Sequence, residues 1–506
     1  MAAATLAALA AAATLQTAIV TTDQAVLRAA PRDSAAAQTQ LWQGEALEGR
    51  GERLDYLQVW DHARERGGFV KATQVRRVAL TPAEAPDLLA VLRFVREAPG
   101  AEALGIAIAA AWLQAASAEA VRGPAGAEAL DALGQLADRL AARASASAGT
   151  GKAQATLSAH LDVASRYGVK FTSYEQAEGM RICYDGDAFR RLLALPSAQA
   201  AQQARAALAL SQPECAAPRM GAEDKRRLQQ WQAELVQQID AQALPPHLKA
   251  RLALRRASAW SSVAYAQARR GEAPQEAAQR ALDALGSVQR ADLVDDDVPA
   301  WHDAVMRTNA VRWAALPAGD TVRGALRVEL QAGQPGETCV SLLADAAPDR
   351  QAASGNAASR VAAAASPRAA GSPRELARRC TYALVWPQSA TLNREGNALA
   401  LAVQPLDGWR ELWVFRREGR EWRIDALPPA SLQPGLGYAE FAGWVPGGRQ
   451  VLVAREARGE GRYRRSYDVV DLDTLATQRQ AADPTVLGPF QRWQDGGWKR
   501  MTVSLR

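Results

Sequence analysis

The hydrophobic period of this chain changes twice, and that restricts its fold more than any motif does. From Thr17 to about Val78 apolar and polar residues alternate in short runs broken by turn formers, the period of β-strands. From residue 81 to about 320 the apolar residues recur at spacings of three and four, as in "APDLLAVLRFVREAPG" and "AEALGIAIAAAWLQAAS", the period of α-helices. Beyond 320 alternation returns. A chain of 506 residues patterned in this way is expected to be a multidomain α+β protein, because a single core stops growing well below that length. Five short strands in residues 17–80 predict a small β-barrel, and residues 81–320 a large helical region. One β-hairpin is expected near 169–185, where "VKFTSYEQAEGMRICYDGDAF" alternates on either side of Ala177–Gly179. Residues 321–344 read as strands leading into a C-terminal antiparallel β domain, 378–506, which holds seven of the fourteen tryptophans. Between them, residues 345–377 are rich in Ala, Ser, Pro and Gly and are expected to be a disordered insertion.

Composition narrows the class of function. The formal charge is +6, and the arginines are scattered among comparable numbers of Asp and Glu, so no basic stripe points to nucleic acid. No stretch is long and apolar enough to predict a membrane span. Residues 1–16, "MAAATLAALAAAATLQ", look like the apolar region of a secretory signal with small residues at Ala11 and Ala13, without the usual basic start; an Ala-rich helix is the other reading. The four cysteines, Cys183, Cys215, Cys339 and Cys380, lack the spacing and the histidine neighbours of a zinc site. Of three possible connectivities the sequential one is simplest, Cys183 with Cys215 and Cys339 with Cys380, the second clamping the ends of the low-complexity insertion. Each bridge would contribute about 3–4 kcal/mol in the chain-entropy model. Two bridges would suit a periplasmic or secreted protein; four buried thiols are the alternative.

Landmarks in residues 17–80 carry a resemblance. "VLRAAP", "LWQGEALEG" and "YLQVWD...GGFV" stand in the order of the first strand, the Gly-led turn and the aromatic-led strand of the bacterial SH3-like (SH3b) family, with Phe69 where that family has Trp. The C-terminal stretches "TLNREGNALALAVQPLDGWRELWVFRREGREWRIDAL" and "GWVPGGRQVLVAREARGEGRYRRSYDVVDLDTLATQRQ" resemble blade repeats of bacterial β-propellers, and "QRWQDGGWKRMTVSLR" resembles the start of a third. As a whole the chain resembles exported proteobacterial SH3-domain-containing proteins. That resemblance implies recognition of peptidoglycan or of a peptide or protein partner. "ASAWSSVAYAQARRGEAPQEAAQRALDAL" is similar to one tetratricopeptide helix pair, without a second copy.

Catalysis finds little support. Nucleophilic mechanisms need a base, and His62, His160, His247 and His302 lie in no recognisable motif. "GTGK" at 149–152 lacks the first glycine and the closing Ser or Thr of a phosphate loop. Asp295, Asp296 and Asp297 precede Pro299 and suit a helix N-terminus. No catalytic residue, metal or cofactor is therefore expected; an envelope enzyme with a site assembled from scattered carboxylates is the competing class. The arginine run from Arg458 to Arg465, with Tyr463 as a stacking ring, could hold an acidic polymer, although such runs are more often solvated loops. Strand alternation buries Leu57 and Val59 and turns Tyr56 and Trp60 outward, and Trp42 can also face out. Trp42, Tyr56 and Trp60 are the candidate ligand-binding residues, with packing against the helices as the alternative use of the same rings.

Overall fold

The computed structural model describes residues 16–146, 151–176, 179–317, 322–323, 326–344, 373–431, 435–459 and 461–501. The signal-like segment up to residue 15 and most of the low-complexity insertion lie outside the described residues, and Gln16 is already strand. The chain forms two compact units, one of residues up to Lys225 with Leu235–Leu248, the other of Arg226–Glu234 with Lys249 onwards. Helices and antiparallel sheets are both present, with an N-terminal sheet, a helical middle and C-terminal sheets.

The first unit begins with β1 (Gln16–Val20), β2 (Ala25–Arg28), β3 (Ala37–Leu41), β4 (Ala46–Arg53), β5 (Tyr56–Asp61), β6 (Arg66–Lys71) and β7 (Val75–Val78). These seven strands, two more than the alternation predicts, form one antiparallel sheet in the order β3-β2-β6-β5-β4-β1-β7. The count exceeds the expectation because four of these strands are only four or five residues long, too short for a period-two pattern to separate neighbouring strands. Ala18, Val20, Leu27, Leu41, Leu57, Val59 and Val70 make the core of this sheet.

The helices of the first unit are α1 (Ala85–Val95), α2 (Glu102–Ala115), α3 (Ala118–Arg122), α4 (Pro124–Ala146), α5 (Lys152–Arg166), α6 (Asp187–Leu193) and α7 (Ala200–Leu210). α2 is apolar all round and is the buried helix of the group, as such a sequence must be. Its one carboxylate, Glu102, is fully buried and ion-paired with Arg139 and Arg143 of α4. α4 comes close enough to α2 that a Cβ on Gly105 would stand 2.7 Å from Leu136 Cδ1. Between α5 and α6 the expected hairpin forms as β8 (Phe171–Gln176) and β9 (Gly179–Tyr184). A disulfide joins Cys183 of β9 to Cys215, and Ser145 of α4 binds the Ile182 amide at 2.8 Å. α8 (Ala222–Gln238) contributes residues to both units.

Besides its part of α8, the second unit holds α9 (Pro246–Arg269) from Lys249 onwards, α10 (Gln275–Gly286) and α11 (Val298–Val311). Trp260 of α9 packs on Ala277, Ala278 and Ala281 of α10, and Gly271 turns between the two helices at φ +71. Among the described residues, the strands that follow form three up-and-down meanders of four each. The first is β10 (Val322–Arg323), β11 (Leu326–Ala332), β12 (Thr338–Ala344) and β13 (Arg374–Thr381). β14 (Leu384–Leu392), β15 (Ala398–Leu406), β16 (Trp409–Glu418) and β17 (Glu421–Leu427) form the second. The third is β18 (Leu436–Val445), β19 (Gln450–Gly459), β20 (Arg462–Asp471) and β21 (Thr477–Ala481). A short parallel contact, Trp409 with Gly437 and Arg410 with Tyr438, joins the last two meanders into one eight-stranded sheet.

Cys339 of β12 and Cys380 of β13 stand opposite each other and are bridged. β13 starts at Arg374, so the last four residues of the expected insertion are strand. "QRWQDGGWKRM" is helical, in α12 (Gly488–Trp493) and α13 (Gly496–Met501), and starts no further strand. Phe490 and Trp498 of these helices pack on Leu452, Tyr467 and Val469, so the tryptophan spacing that resembled a blade serves helix-on-sheet packing instead.

Candidate functional site

The three aromatic residues singled out in the first unit have different fates. Tyr56 is buried at 2% exposure, and its hydroxyl donates to Asp33 Oδ1 at 2.6 Å. Lys71 Nζ donates to Asp33 Oδ2 at 2.9 Å; the ammonium, with the Tyr56 hydroxyl, holds the Asp33 carboxyl below its ordinary range. Alternation along β5 turns Tyr56 away from Leu57, but the β2–β3 connection carrying Asp33 binds that end of the strand, so Tyr56 is buried on the side where solvent was expected.

Trp60 is half-buried. The Arg50 guanidinium lies 4.6 Å from its ring centroid, and Glu48, directly across from it, takes Arg50 at 2.9 Å and His62 at 2.6 Å. On its other side Trp60 covers Gly67, where a Cβ would stand 3.3 Å from the ring.

Trp42 is also half-buried, in the β3–β4 connection. That connection is pinned to the helices. Tyr167 donates to the Gly44 carbonyl at 2.5 Å, Gln43 binds Asp23, and Asp23 meets the buried His160 at 2.8 Å. Gly44, at φ +85, lies so close that a Cβ would stand 2.5 Å from the Ala103 carbonyl oxygen. Tyr56 thus serves the interior, while Trp42 and Trp60 keep partial access.

A more complete constellation lies in the second unit, around the arginine run. α11 supplies Trp301, His302 and Met306; β19 supplies Glu456; β20 supplies Tyr463, Arg464 and Arg465. With Arg290 they line a cavity of about 350 Å³. Three rings stand in series: His302 stacks on Tyr463 with centroids 4.8 Å apart, and Trp301 meets His302 edge-on at 4.8 Å. Met306 packs with Leu436, Tyr438 and Tyr463. The Tyr463 hydroxyl is fixed between Asp303 Oδ1 at 2.8 Å and the Pro299 carbonyl at 2.9 Å, and Arg458 binds the other Asp303 oxygen at 2.6 Å. Glu456, buried, accepts from Tyr438 at 2.8 Å and from Arg465 at 2.6 Å.

Two cations remain available to a ligand. Arg290 lies over Trp301 at 5.0 Å and Arg464 is exposed, and neither makes an ion pair among the described residues. Burial holds His302 below the ordinary histidine range, with Arg465 and Arg290 acting in the same sense and Glu456 and Asp303 opposing. Burial, reinforced by Asp303, pushes the Tyr463 hydroxyl up to about 12. The pocket offers positive charge beside a stack of aromatic rings.

Tyr463 and the arginine run were legible in the sequence. Arg290, Trp301, His302 and Glu456 were not grouped with them, because α11 and β20 meet across more than 150 residues. Asp297 precedes α11 as expected, yet its carboxylate makes no cap and pairs with Arg251 at 2.7 Å. Glu337, Cys339 and Cys380 lie close together, but the disulfide occupies both sulfurs. No protein-family model, curated protein or solved structure matches the chain. Among the described residues no helix is long and apolar enough to cross a membrane.

Proposed function

We propose that the protein is an exported, non-catalytic binding protein that recognises acidic peptide, such as the carboxylate-bearing stem peptides of the cell wall. The reading is carried by the Trp301–His302–Tyr463 pocket, where Arg290 and Arg464 line the cavity beside a row of rings. Guanidinium groups take carboxylates bidentately, and flat rings give contact area at little entropic cost. Two disulfides support export. We read the seven-stranded N-terminal sheet as an SH3-like barrel, and the four-stranded meanders as propeller-like blades, three of which are too few to close a ring. Trp60 with Arg50 offers a second surface for peptide on that barrel.

Sedimentation of the full chain with purified sacculi tests the proposal. Binding is expected, weakening as salt rises, and Arg290→Glu with Arg464→Glu should abolish it. Loss with Trp60→Ala alone would move recognition to the N-terminal sheet; failure of the wild-type chain to sediment would refute the proposal. Binding should also strengthen with acidity. Burial holds His302 below the ordinary histidine range, so it becomes a further cation, and affinity rises, only on acidification below that range. His302→Gln should flatten that profile.

A further inference from the structure

The disulfide of the first C-terminal meander joins residues that stand directly opposite each other, Cys339 of β12 in register with Cys380 of β13. Side chains so placed project from one face of the sheet, with Cβ atoms about 4.5–5.5 Å apart. Cys339 is buried and Cys380 is exposed, so a reagent in solvent reaches the bond from the Cys380 side. The ladder extends well beyond the bridge: it runs through all seven residues of β12, and Val340 and Leu342 bury their side chains in the core beneath it.

A carboxylate stands against these sulfurs. The ligating atoms of Glu337, Cys339 and Cys380 all lie within 4.8 Å of one another. Gly333 makes the room, since a Cβ there would collide with Glu337 Oε2 and stand 3.1 Å from Cys339 Sγ. The Gln334 amide donates to Glu337 Oε2 at 3.0 Å, and the Gly333 amide closes the turn on the Glu337 carbonyl at 3.0 Å, so the carboxylate is held in place. Glu337 makes no ion pair among the described residues, and a disulfide has neither charge nor hydrogen to offer it. The bridge therefore does not account for a carboxylate at this spot. A cation shared with two thiolates does.

We infer that Glu337, Cys339 and Cys380 form a redox-gated zinc site, closed while the cysteines are bridged and opened by a dithiol reductant. A thiolate of the reductant attacks the Cys380 sulfur, breaks the Cys339–Cys380 bond and forms a mixed disulfide, which releases the Cys339 thiolate. The second thiolate of the reductant then closes the reductant's own disulfide and releases Cys380, so two electrons and two protons pass from the dithiol to the protein. Zinc binds both sulfurs as their protons leave to solvent, the Glu337 carboxylate is the third ligand, and water takes the fourth tetrahedral position. At a Zn–S distance of about 2.3 Å two thiolates stand about 3.8 Å apart, a span that directly opposed cysteines reach without the strands moving. Strand register rather than sequence spacing brings the ligands together. The site is separate from the Trp301–His302–Tyr463 pocket and does not depend on what that pocket binds.

Metal titration of the full chain tests the inference, before and after reduction with dithiothreitol that is removed by gel filtration under argon. The reduced chain is expected to bind one zinc, and cobalt(II) in its place should show sulfur-to-metal charge-transfer absorption; the oxidised chain should bind neither. Cys339→Ser with Cys380→Ser keeps the other two cysteines and should abolish uptake, which separates this pair from Cys183 and Cys215. Glu337→Gln should weaken zinc roughly tenfold or more, the scale of a lost contact at a metal centre. If the double serine variant does not fold, Glu337→Gln alone decides, since it changes only a half-buried turn residue. Equal uptake by the oxidised chain, no uptake by the reduced chain, retention in the double serine variant, unchanged affinity in Glu337→Gln, or loss of the β circular dichroism signal on reduction would each overturn the inference.

Discussion

Tyr56 and Trp60 lie four residues apart on β5, on the same side of an ideal strand, yet one is interior and the other half-exposed. The difference comes from Asp33, which takes the Tyr56 hydroxyl at 2.6 Å and closes that end of the sheet. The pair is a sharp test of side-chain burial. Tyr56→Phe keeps the ring and loses the hydrogen bond, and should cost about 1 kcal/mol in urea unfolding. Tyr56→Ala should cost about 3–5 kcal/mol, as buried aromatic truncations do. Trp60→Ala should cost clearly less than Tyr56→Ala, and equal losses at the two positions would contradict the burial described here. Leu57 and Val59 were readable as core from alternation alone. Tyr56 was not, because whether the opposite face of a strand meets water depends on a connection more than twenty residues away.

The β8–β9 hairpin shows the same limit for a whole element. Its existence is written in local alternation, but two strands alone are at best marginal in water. What holds it is distant: the bridge from Cys183 to Cys215, 32 residues on, and the Ser145 hydroxyl at the Ile182 amide. Replacing both cysteines by serine should lower stability by about 3–4 kcal/mol in the chain-entropy model. Hydrogen exchange should quicken in β9 well before it quickens in α2, and uniform loss of protection across both would show that the bridge serves the unit as a whole. α12 and α13 show the converse. Each is six residues long, less than two turns, so no helical period could develop, and their Trp and Gly residues suggested a strand-and-turn pattern instead.

At the level of the whole chain, the changes of period marked the N-terminal sheet, the helical middle and the C-terminal sheets correctly, because each signal is local and repeated. The pocket around Tyr463 stayed hidden because α11 and β20 reach it from positions 160 residues apart, with no local pattern to announce their meeting. The burial of Arg410 was hidden more deeply still, since an arginine in a strand reads as surface until its surroundings are known. The register of β12 on β13 carries a consequence of another kind. Ala344 pairs directly with Arg374, and Cys339 is bridged to Cys380 across the same ladder, so the two strands pair as a hairpin does, with one register shift between Leu342 and Leu343. Residues 345–373 should then be exchangeable for a two-residue Asn-Gly turn, the connection that suits adjacent antiparallel strands. Calorimetry should show an unfolding temperature equal to or above that of the parent, since shortening a connection lowers its closure entropy; a marked fall would mean the strands need that segment to pair. For protein engineering the gap between these two strands is a socket, a place where foreign sequence, a tag or a sensor domain can be spliced with both ends already held by the disulfide.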